Sequence, residues 1–226
     1  MKPTLSARLV SEFLGTAFLV AAVIGSGIMG ERLAGGNVAI ALLANTIATG
    51  AALAALILTF GPISGAHFNP AVTLAEALNR AMPWRESPLY IAAQCAGGVL
   101  GALVAHLMFG LPWFSASQHV RSGWPLAFSE FVATFGLLAV ILGCSRARPT
   151  AVPFAVASYI TAAYWFTAST SFANPAVTIA RSLSDTFAGI RPSDAPWFIV
   201  AQLAGALAAT VLFRWLAPIQ RSPAHS

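Results

Sequence analysis

Charged side chains are scarce in this chain of 226 residues, of which 8% are charged and 58% are hydrophobic. Soluble domains carry about 25% charged residues, so this composition argues against a soluble domain and is typical of a membrane protein. The formal net charge of +5 comes from scattered basic residues that flank apolar segments. We therefore expect these residues to orient the chain in a lipid bilayer, and we expect no nucleic-acid partner.

Cysteine and catalytic motifs are also scarce. Cys95 and Cys144 lie within or at the end of apolar segments, without a Cys-x-x-Cys or Cys/His spacing. Neither a disulfide nor a metal site is expected from them. The sequence contains no Ser/His/Asp set, no His-Glu-x-x-His motif and no glycine-rich phosphate loop, which argues against an enzyme.

What the sequence does contain is a series of six long apolar segments. About 20 apolar residues suffice for a helix to cross a bilayer, so each segment predicts a membrane span. The start from Met1 to Arg8 is basic, but the apolar run after it is too long for a signal peptide. We predict that this first span is retained. The predicted spans lie at about residues 9–29, 38–60, 88–109, 125–144, 151–168 and 196–217.

Two seven-residue stretches, Asn69–Ala75 and Asn174–Ala180, differ only at Leu74 and Ile179. Asn is a strong N-cap residue and Pro suits the first helical position, so each stretch predicts an abrupt helix start. We predict helices at 69–80 and 174–185; at about 15 Å, each would cross half of a bilayer core of about 30 Å. The repeated triplets are Asn69, Pro70, Ala71 and Asn174, Pro175, Ala176.

The repeat extends beyond these triplets. Glu12 and Glu130 each lie in a Ser-Glu-Phe triplet, and Gln94 and Gln202 each lie in an Ala-Gln pair. Each half has three spans and one half-helix, and because three is odd, the second half must enter from the opposite side of the bilayer. The sequence thus predicts an all-α membrane protein with an inverted repeat. We expect one channel domain, residues 1–226, with repeats at about 1–115 and 120–226.

The distribution of Lys and Arg predicts the orientation, because cytoplasmic loops are rich in these residues. If the N-terminus is cytoplasmic, four basic residues lie outside: Arg32, Arg121, Arg181 and Arg191. We therefore predict cytoplasmic N- and C-termini. The eight basic residues predicted to lie inside are Lys2, Arg8, Arg80, Arg85, Arg146, Arg148, Arg214 and Arg221.

In this topology the N-termini of the two half-helices meet at the midplane. Each N-terminus carries free N–H groups and about half a positive charge, which disfavours cations and suits a neutral hydrogen-bonding solute. Asn69 and Asn174 can cap their own helices and offer an NH₂ group to the solute. The extended segments 64–68 and 169–173 must be buried or line a water-filled path. The predicted pore-lining residues of these loops are Gly65, Ala66, His67, Ser169 and Thr170.

Glu12 and Glu130 lie inside apolar spans, where an ionisable residue is a candidate functional residue. One alternative is a proton relay. The other is structural support, in which each carboxylate accepts backbone N–H groups of a half-helix loop. Their matched positions in the two halves favour support, and Gln94 and Gln202 receive the same interpretation.

These motifs resemble those of the aquaporin and aquaglyceroporin family across almost the whole chain. The segment from Ser64 to Thr73 is close to the family's first signature, and the second Asn-Pro-Ala copy makes the match specific. The resemblance implies a bundle of six transmembrane helices with two re-entrant half-helices. It also implies a homotetramer with one pore in each protomer, passive flux and no cofactor.

The resemblance places a four-residue selectivity filter at Thr49, Ala162, Ser171 and Val177. Family members usually have Arg where this chain has Val177, so an uncharged and wider filter is expected. This filter resembles that of bacterial members associated with arsenic resistance. The expected solutes are water, glycerol-like polyols and trivalent metalloid hydroxides such as arsenite, and a bacterial inner membrane is the expected location. The position of Ala162 assumes no gap in the fifth span; otherwise the aromatic residues that could narrow the opening are Tyr164, Trp165, Phe166 and Phe172.

Two other functions remain open on the sequence alone. A water-selective channel would share every motif, and an alternating-access carrier would share the inverted repeat and the broken helices. A carrier usually needs intramembrane charges that change state, for which only Glu12 and Glu130 are candidates. Linear flux would favour a channel, whereas saturable flux coupled to a gradient would favour a carrier.

Overall fold

The computed structural model describes residues 3–216, which form eight α-helices and no β-strand. Lys2 and Arg221, used in the orientation prediction, lie outside the described residues, as does residue 217 at the end of the last predicted span. The helices are α1 (Leu5–Leu33), α2 (Val38–Ser64), α3 (Pro70–Leu78), α4 (Ser87–Met108), α5 (Trp124–Ala147), α6 (Val152–Phe166), α7 (Pro175–Arg181) and α8 (Ala195–Leu216).

Five of the long helices, α1, α2, α4, α5 and α8, are long and apolar enough to cross a membrane. The remaining predicted span corresponds to α6, which has 15 residues and follows a short 3-10 turn at Pro149–Ala151. At 1.5 Å per residue α6 is about 22 Å long, shorter than a typical span. It ends where Thr167 takes an extended conformation and the chain enters the second half-helix loop.

The two predicted half-helices are present as α3 and α7. Each starts directly after its Asn, whose side-chain oxygen caps the helix, and has Pro at its first position. The second was predicted to extend to residue 185, but α7 ends at Arg181. Ser and Asp residues follow, and such side chains compete with the helix for backbone hydrogen bonds. The chain then folds back, and the N–H of Ile190 donates to the carbonyl of Arg181.

The helices pack as two equivalent halves. In the first half α1 packs against α2 and α4, in the second α5 packs against α6 and α8, and α2 contacts α6 between the halves. Two equivalent glycines permit close approaches between helices. A Cβ atom on Gly97 would lie 2.2 Å from the carbonyl oxygen of Phe13, and one on Gly205 would lie 2.4 Å from that of Phe131. These glycines therefore allow close helix packing.

The outer surface of the long helices is apolar. Side chains such as Phe18, Ile47 and Val211 are exposed over more than half of their area. A surface of this extent needs an apolar environment, which a lipid bilayer provides. The buried core lies instead around the two half-helix loops, where Phe68, Ala71, Ala173 and Val177 pack together with residues of α1 and α5.

Candidate solute pathway

A cavity of about 270 Å³ lies between the two halves and is lined by residues of both. Both capping residues, Asn69 and Asn174, line it, as do the equivalent residues Val72 and Val177 of the two half-helices. The lining extends to Glu76 of α3 in one direction and to Arg181 of α7 in the other. We refer to these as the Glu76 end and the Arg181 end.

The side chains of the two Asn residues connect the halves. The Nδ2 atom of Asn69 donates to the carbonyl of Ala173 at 2.7 Å, and that of Asn174 donates to the carbonyl of Phe68 at 2.7 Å. Their Oδ1 atoms accept N–H groups of their own half-helices. Each NH₂ group carries a second hydrogen. Two oriented donors are therefore available where the half-helices meet.

The two loops before the half-helices share an unusual backbone conformation. At three equivalent positions in each loop φ is positive, a region that residues other than glycine rarely adopt. Each residue other than glycine in this region costs about 1–3 kcal/mol, so other contacts must hold the loops in shape. The equivalent φ angles are 93° at Gly65 and 61° at Thr170, 49° at both Ala66 and Ser171, and 49° at Phe68 and 50° at Ala173.

Glu12 provides these contacts in the first loop. Its Oε1 atom accepts the hydroxyl of Ser64 at 2.6 Å and the N–H of His67 at 3.0 Å. Its Oε2 atom accepts the N–H of Phe68 at 2.7 Å and the Nε2 group of Gln94 at 2.8 Å. The carboxylate is fully buried and does not line the cavity.

Glu130 makes the equivalent contacts in the second loop. It accepts the N–H groups of Phe172 and Ala173, both at 2.8 Å, and the Nε2 group of Gln202 at 2.6 Å. Gln202 also donates to Thr178 of α7 at 2.9 Å, which links the loop to the half-helix. Both carboxylates are occupied by loop hydrogen bonds and lie off the cavity, and these contacts favour the support interpretation over a proton relay.

The cavity-facing residues of the two loops differ from the predicted set. Gly65, Ala66 and His67 line the cavity, whereas Ser169 and Thr170 do not. Ser169 is fully buried, and its carbonyl accepts the Nη1 group of Arg121, which turns this peptide away from the cavity. In the second loop the lining consists of Ser171, Phe172 and Ala173.

Three of the four predicted filter residues, Thr49, Ser171 and Val177, line the cavity, but Ala162 does not. Ala162 is exposed on the outer surface of α6. Tyr164 takes its place: the residue is 3% exposed, and its hydroxyl lies 3.3 Å from that of Thr49. Two residues correspond to about 200° of helical rotation, so a two-residue offset moves a side chain to the opposite face. The predicted position of Ala162 in the filter is thereby corrected, because Tyr164 and not Ala162 lines the cavity.

A cationic residue also lines the cavity. Arg181 follows Val177 by one helical turn, and it was predicted only as a basic residue on the outer side. Its guanidinium carbon lies 3.3 Å from the centroid of the Phe172 ring, and that of Arg121 lies 5.1 Å from the same centroid. The four-residue spacing places Arg181 and Val177 on one helix face. This spacing could have identified Arg181 from the sequence as a cavity-lining residue.

Among residues 3–216 no group of three or more His, Cys, Asp or Glu side chains could hold a metal ion. Cys95 and Cys144 are both free thiols. His106 is buried, with its ring nitrogens 2.7 Å from the carbonyl of Pro112 and 2.8 Å from the hydroxyl of Ser184. None of these three side chains lines the cavity, and the contacts of His106 connect parts of the fold.

The fold and the cavity together define an integral multi-pass membrane protein in which two half-helices meet beside a solute pathway. The model of the family described as "Major intrinsic protein" matches residues 1–151 and 145–226, and the chain belongs to this family. Members of this family are channels rather than enzymes, so the cavity is assigned to a passive channel.

Individual relatives agree with this assignment. Aquaglyceroporin AqpS of Rhizobium meliloti (strain 1021) is 56% identical over 212 residues, which cover 94% of this chain and 91% of the relative. Aquaporin NIP1-1 of Oryza sativa subsp. japonica is 38% identical over 138 residues, which cover 60% of this chain and 48% of that relative. The X-ray structure of the aquaglyceroporin from Plasmodium falciparum matches with a TM-score of 0.78, covering 96% of this chain and 98% of that chain. Its 20% sequence identity supports the fold alone.

Proposed function

We propose that the protein conducts water, glycerol-like polyols and trivalent metalloid hydroxides such as arsenous acid. The observation that carries this proposal is the cavity of about 270 Å³ that contains both Asn side chains and has Val177 where the family usually has Arg. Arsenous acid is neutral near pH 7 and resembles a small polyol in its hydroxyl groups. The relative named as an aquaglyceroporin supports the polyol part of the proposal.

The pathway combines hydrogen-bonding groups with apolar walls. The two Asn side chains offer N–H donors at the point where the half-helices meet. Other parts of the wall are formed by apolar side chains, including Leu53, Ile57 and Val156. A solute with several hydroxyl groups can exchange water for these donors without carrying a charge into the membrane, whereas an ion loses hydration that the walls do not replace.

The width of the filter determines which solutes pass. Val177 leaves out the bulk and charge of a guanidinium, which widens the filter. Tyr164 has the opposite effect, because its ring lines the cavity whereas the smaller Ala162 does not. The contact between Tyr164 and Thr49 is the observation that favours the second candidate, a water-selective channel.

Support residues and assembly complete the proposal. Glu12 with Gln94, and Glu130 with Gln202, hold the two loops whose backbones would otherwise relax. Residues 1–226 act as one channel domain that assembles as a homotetramer. The Arg181 end faces outward, as the distribution of basic residues predicts, and the rhizobial relative supports a bacterial inner membrane.

The test is stopped-flow light scattering on proteoliposomes with water, glycerol and arsenite gradients. We expect Val177→Arg to reduce glycerol and arsenite permeability by at least about fivefold and water permeability by less than about twofold, because the added guanidinium narrows the filter. Val177→Met is the matched control, since it adds length without charge or strong donors.

Each result is decisive. Arsenite entry no faster than into empty liposomes would reject the metalloid part of the proposal. Glycerol entry at the empty-liposome rate, with fast water flux, would select the water-selective channel. Saturable flux coupled to an ion gradient would select a carrier.

A further inference from the structure

Arg181 is the residue of the pathway that the filter prediction does not include. It lies one helical turn beyond Val177 on α7, is 2% exposed and lines the Arg181 end of the cavity. Full burial of an arginine is rare, because the charge loses its hydration unless other groups replace it. Its retention at the lining of a solute pathway therefore calls for a physical explanation.

The protein contacts only part of the Arg181 guanidinium. Its Nε group donates to the carbonyl of Ala188, and its plane is stacked against the ring of Phe172. The ring itself is supported on another side by Arg121, which is fixed by the carbonyls of Gly189 and Ser169. These contacts fix the position of the Arg181 head group.

The two Nη groups of the guanidinium have no hydrogen-bond partner among the described residues. Within residues 3–216, the two Nη groups of Arg181 form no hydrogen bond, and the two ion pairs present, Arg8–Glu86 and Arg191–Asp194, do not include it. The neighbouring carboxylate of Glu130 is occupied by backbone N–H groups and Gln202. The Nη groups of the guanidinium, with up to four N–H donors, are therefore available to the cavity.

The opposite end of the cavity differs in charge. When Asn69 is aligned with Asn174, Arg181 aligns with Glu76 of α3, and both residues line the cavity. The pathway thus has a cation near one mouth and an anion near the other. A permeating cation meets repulsion at the Arg181 end and no such barrier at the Glu76 end.

We propose that Arg181 is a specificity-determining residue that provides, one turn beyond the apolar filter position 177, a fixed positive charge that excludes cations. Its Nη groups also donate hydrogen bonds to the oxygen atoms of neutral solutes as they pass. This arrangement separates two properties, because position 177 contributes no charge to the filter while the charge barrier lies farther along the path. The inference rests on the proposed channel function.

The test uses proteoliposomes that contain a pH-sensitive dye, with proton flux driven by a potassium gradient and valinomycin. Arg181→Gln removes the charge and keeps one NH₂ donor, whereas Arg181→Lys keeps the charge and loses the planar stack. Arg32→Gln is the matched control, because Arg32 is an exposed arginine that does not line the cavity. Water permeability is measured on the same liposomes.

For Arg181→Gln we expect a rise in proton flux of at least about tenfold, since a charge in a low-dielectric pathway acts strongly at short range. Arg181→Lys and Arg32→Gln should stay within about twofold of wild type. Glu76→Gln, which removes the opposite charge, should not raise proton flux. Unchanged proton flux in a water-conducting Arg181→Gln channel would overturn the proposal.

The other outcomes are separable. If Arg181→Gln does not fold, Arg181→Lys decides: a folded, water-conducting Lys variant that leaks protons shows that the charge is not the barrier and overturns the proposal. A tight Lys variant supports it. If the wild-type protein conducts no small solute at all, the proposed function fails instead, and this is distinguished by the water measurement on wild type.

Discussion

At the scale of single residues, Tyr164 shows how one side chain changes the expected solute range. Its ring lines the cavity where a small residue was predicted, and its hydroxyl is within 3.3 Å of Thr49. Both hydroxyl groups can donate and accept hydrogen bonds, so the pair offers a polar contact as well as a steric limit. We therefore expect Tyr164 and Val177 together to set the size limit of the proposed filter.

Tyr164→Ala should increase glycerol permeability relative to water permeability by at least about threefold, because the ring is removed from the narrow part of the path. The measurement is stopped-flow light scattering on matched proteoliposomes. Trp165→Ala is the control, since Trp165 is exposed on the same helix and does not line the cavity. An equal rise in both permeabilities, or no change, would remove Tyr164 from the filter.

At the scale of helices, the close crossings between α1 and α4 and between α5 and α8 depend on glycine. The Cβ atom that Gly205 lacks would meet the backbone of Phe131, which cannot move without shifting α5. Overpacking of this kind costs about 1–3 kcal/mol. These crossings hold each half together, so their loss would reach the loops that each half supplies to the cavity.

Gly205→Ala should lower the apparent Tm of the purified protein in detergent, despite the higher helix propensity of Ala. Gly143→Ala is the matched control, because the added Cβ atom would lie 3.4 Å from the ring of Phe213, an ordinary contact. The control should be neutral or slightly stabilising. Equal Tm values for the two variants would show that the crossing tolerates a side chain.

Helix starts were predicted from sequence with greater success than helix register. The starts of α3 and α7 depend on Asn and Pro side chains that act within their own turn, so local sequence is sufficient. The end of α7 depends on Ile190, which lies beyond the helix and folds back to donate its N–H to the carbonyl of Arg181. The error at Ala162 has a similar origin, since the face that α6 presents is set by packing between halves and not by its own residues.

The structure of the two half-helix loops was predicted only in part. The repeated Glu and Gln positions predicted a pair of supports, and the hydrogen bonds of Glu12 and Glu130 agree with that interpretation. The positive φ angles at Thr170 and Ser171 were not predicted, because neither residue is a glycine. From the sequence, Arg181 was used only as a basic residue that indicates orientation. The one-turn spacing that places Arg181 on the same helix face as Val177 was not used.

At the scale of the whole molecule, Asp194 joins the connection between the halves to the start of α8. It accepts the N–H of Arg121 at 2.9 Å and pairs with Arg191 at 2.9 Å. Burial opposes ionisation of Asp194, but the hydrogen bonds from Arg191 and from the Arg121 backbone outweigh it, and the pKa of Asp194 is lowered. The folded state therefore favours the ionised carboxylate.

This lowered pKa predicts a pH dependence of stability. The contribution of Asp194 is present above its unfolded pKa of about 3.9 and is lost as the pH falls through the lower folded value. Asp194→Asn should be less stable than wild type at pH 7, and the difference should shrink below about pH 4. Apparent Tm against pH measures this, with exposed Glu31→Gln as control. A constant difference across the range would contradict the assignment.

The reciprocal bonds of the two Asn side chains have one further consequence. Each half supplies the carbonyl that the other half's carboxamide needs, so the junction would be equally complete between two identical copies of one half. Two identical halves could therefore form the same central junction. The two halves are free to differ in sequence only away from this junction. The polarity of the channel, with a guanidinium near one entrance and a carboxylate near the other, is such a divergence, and it gives the two directions of passage unlike electrical profiles.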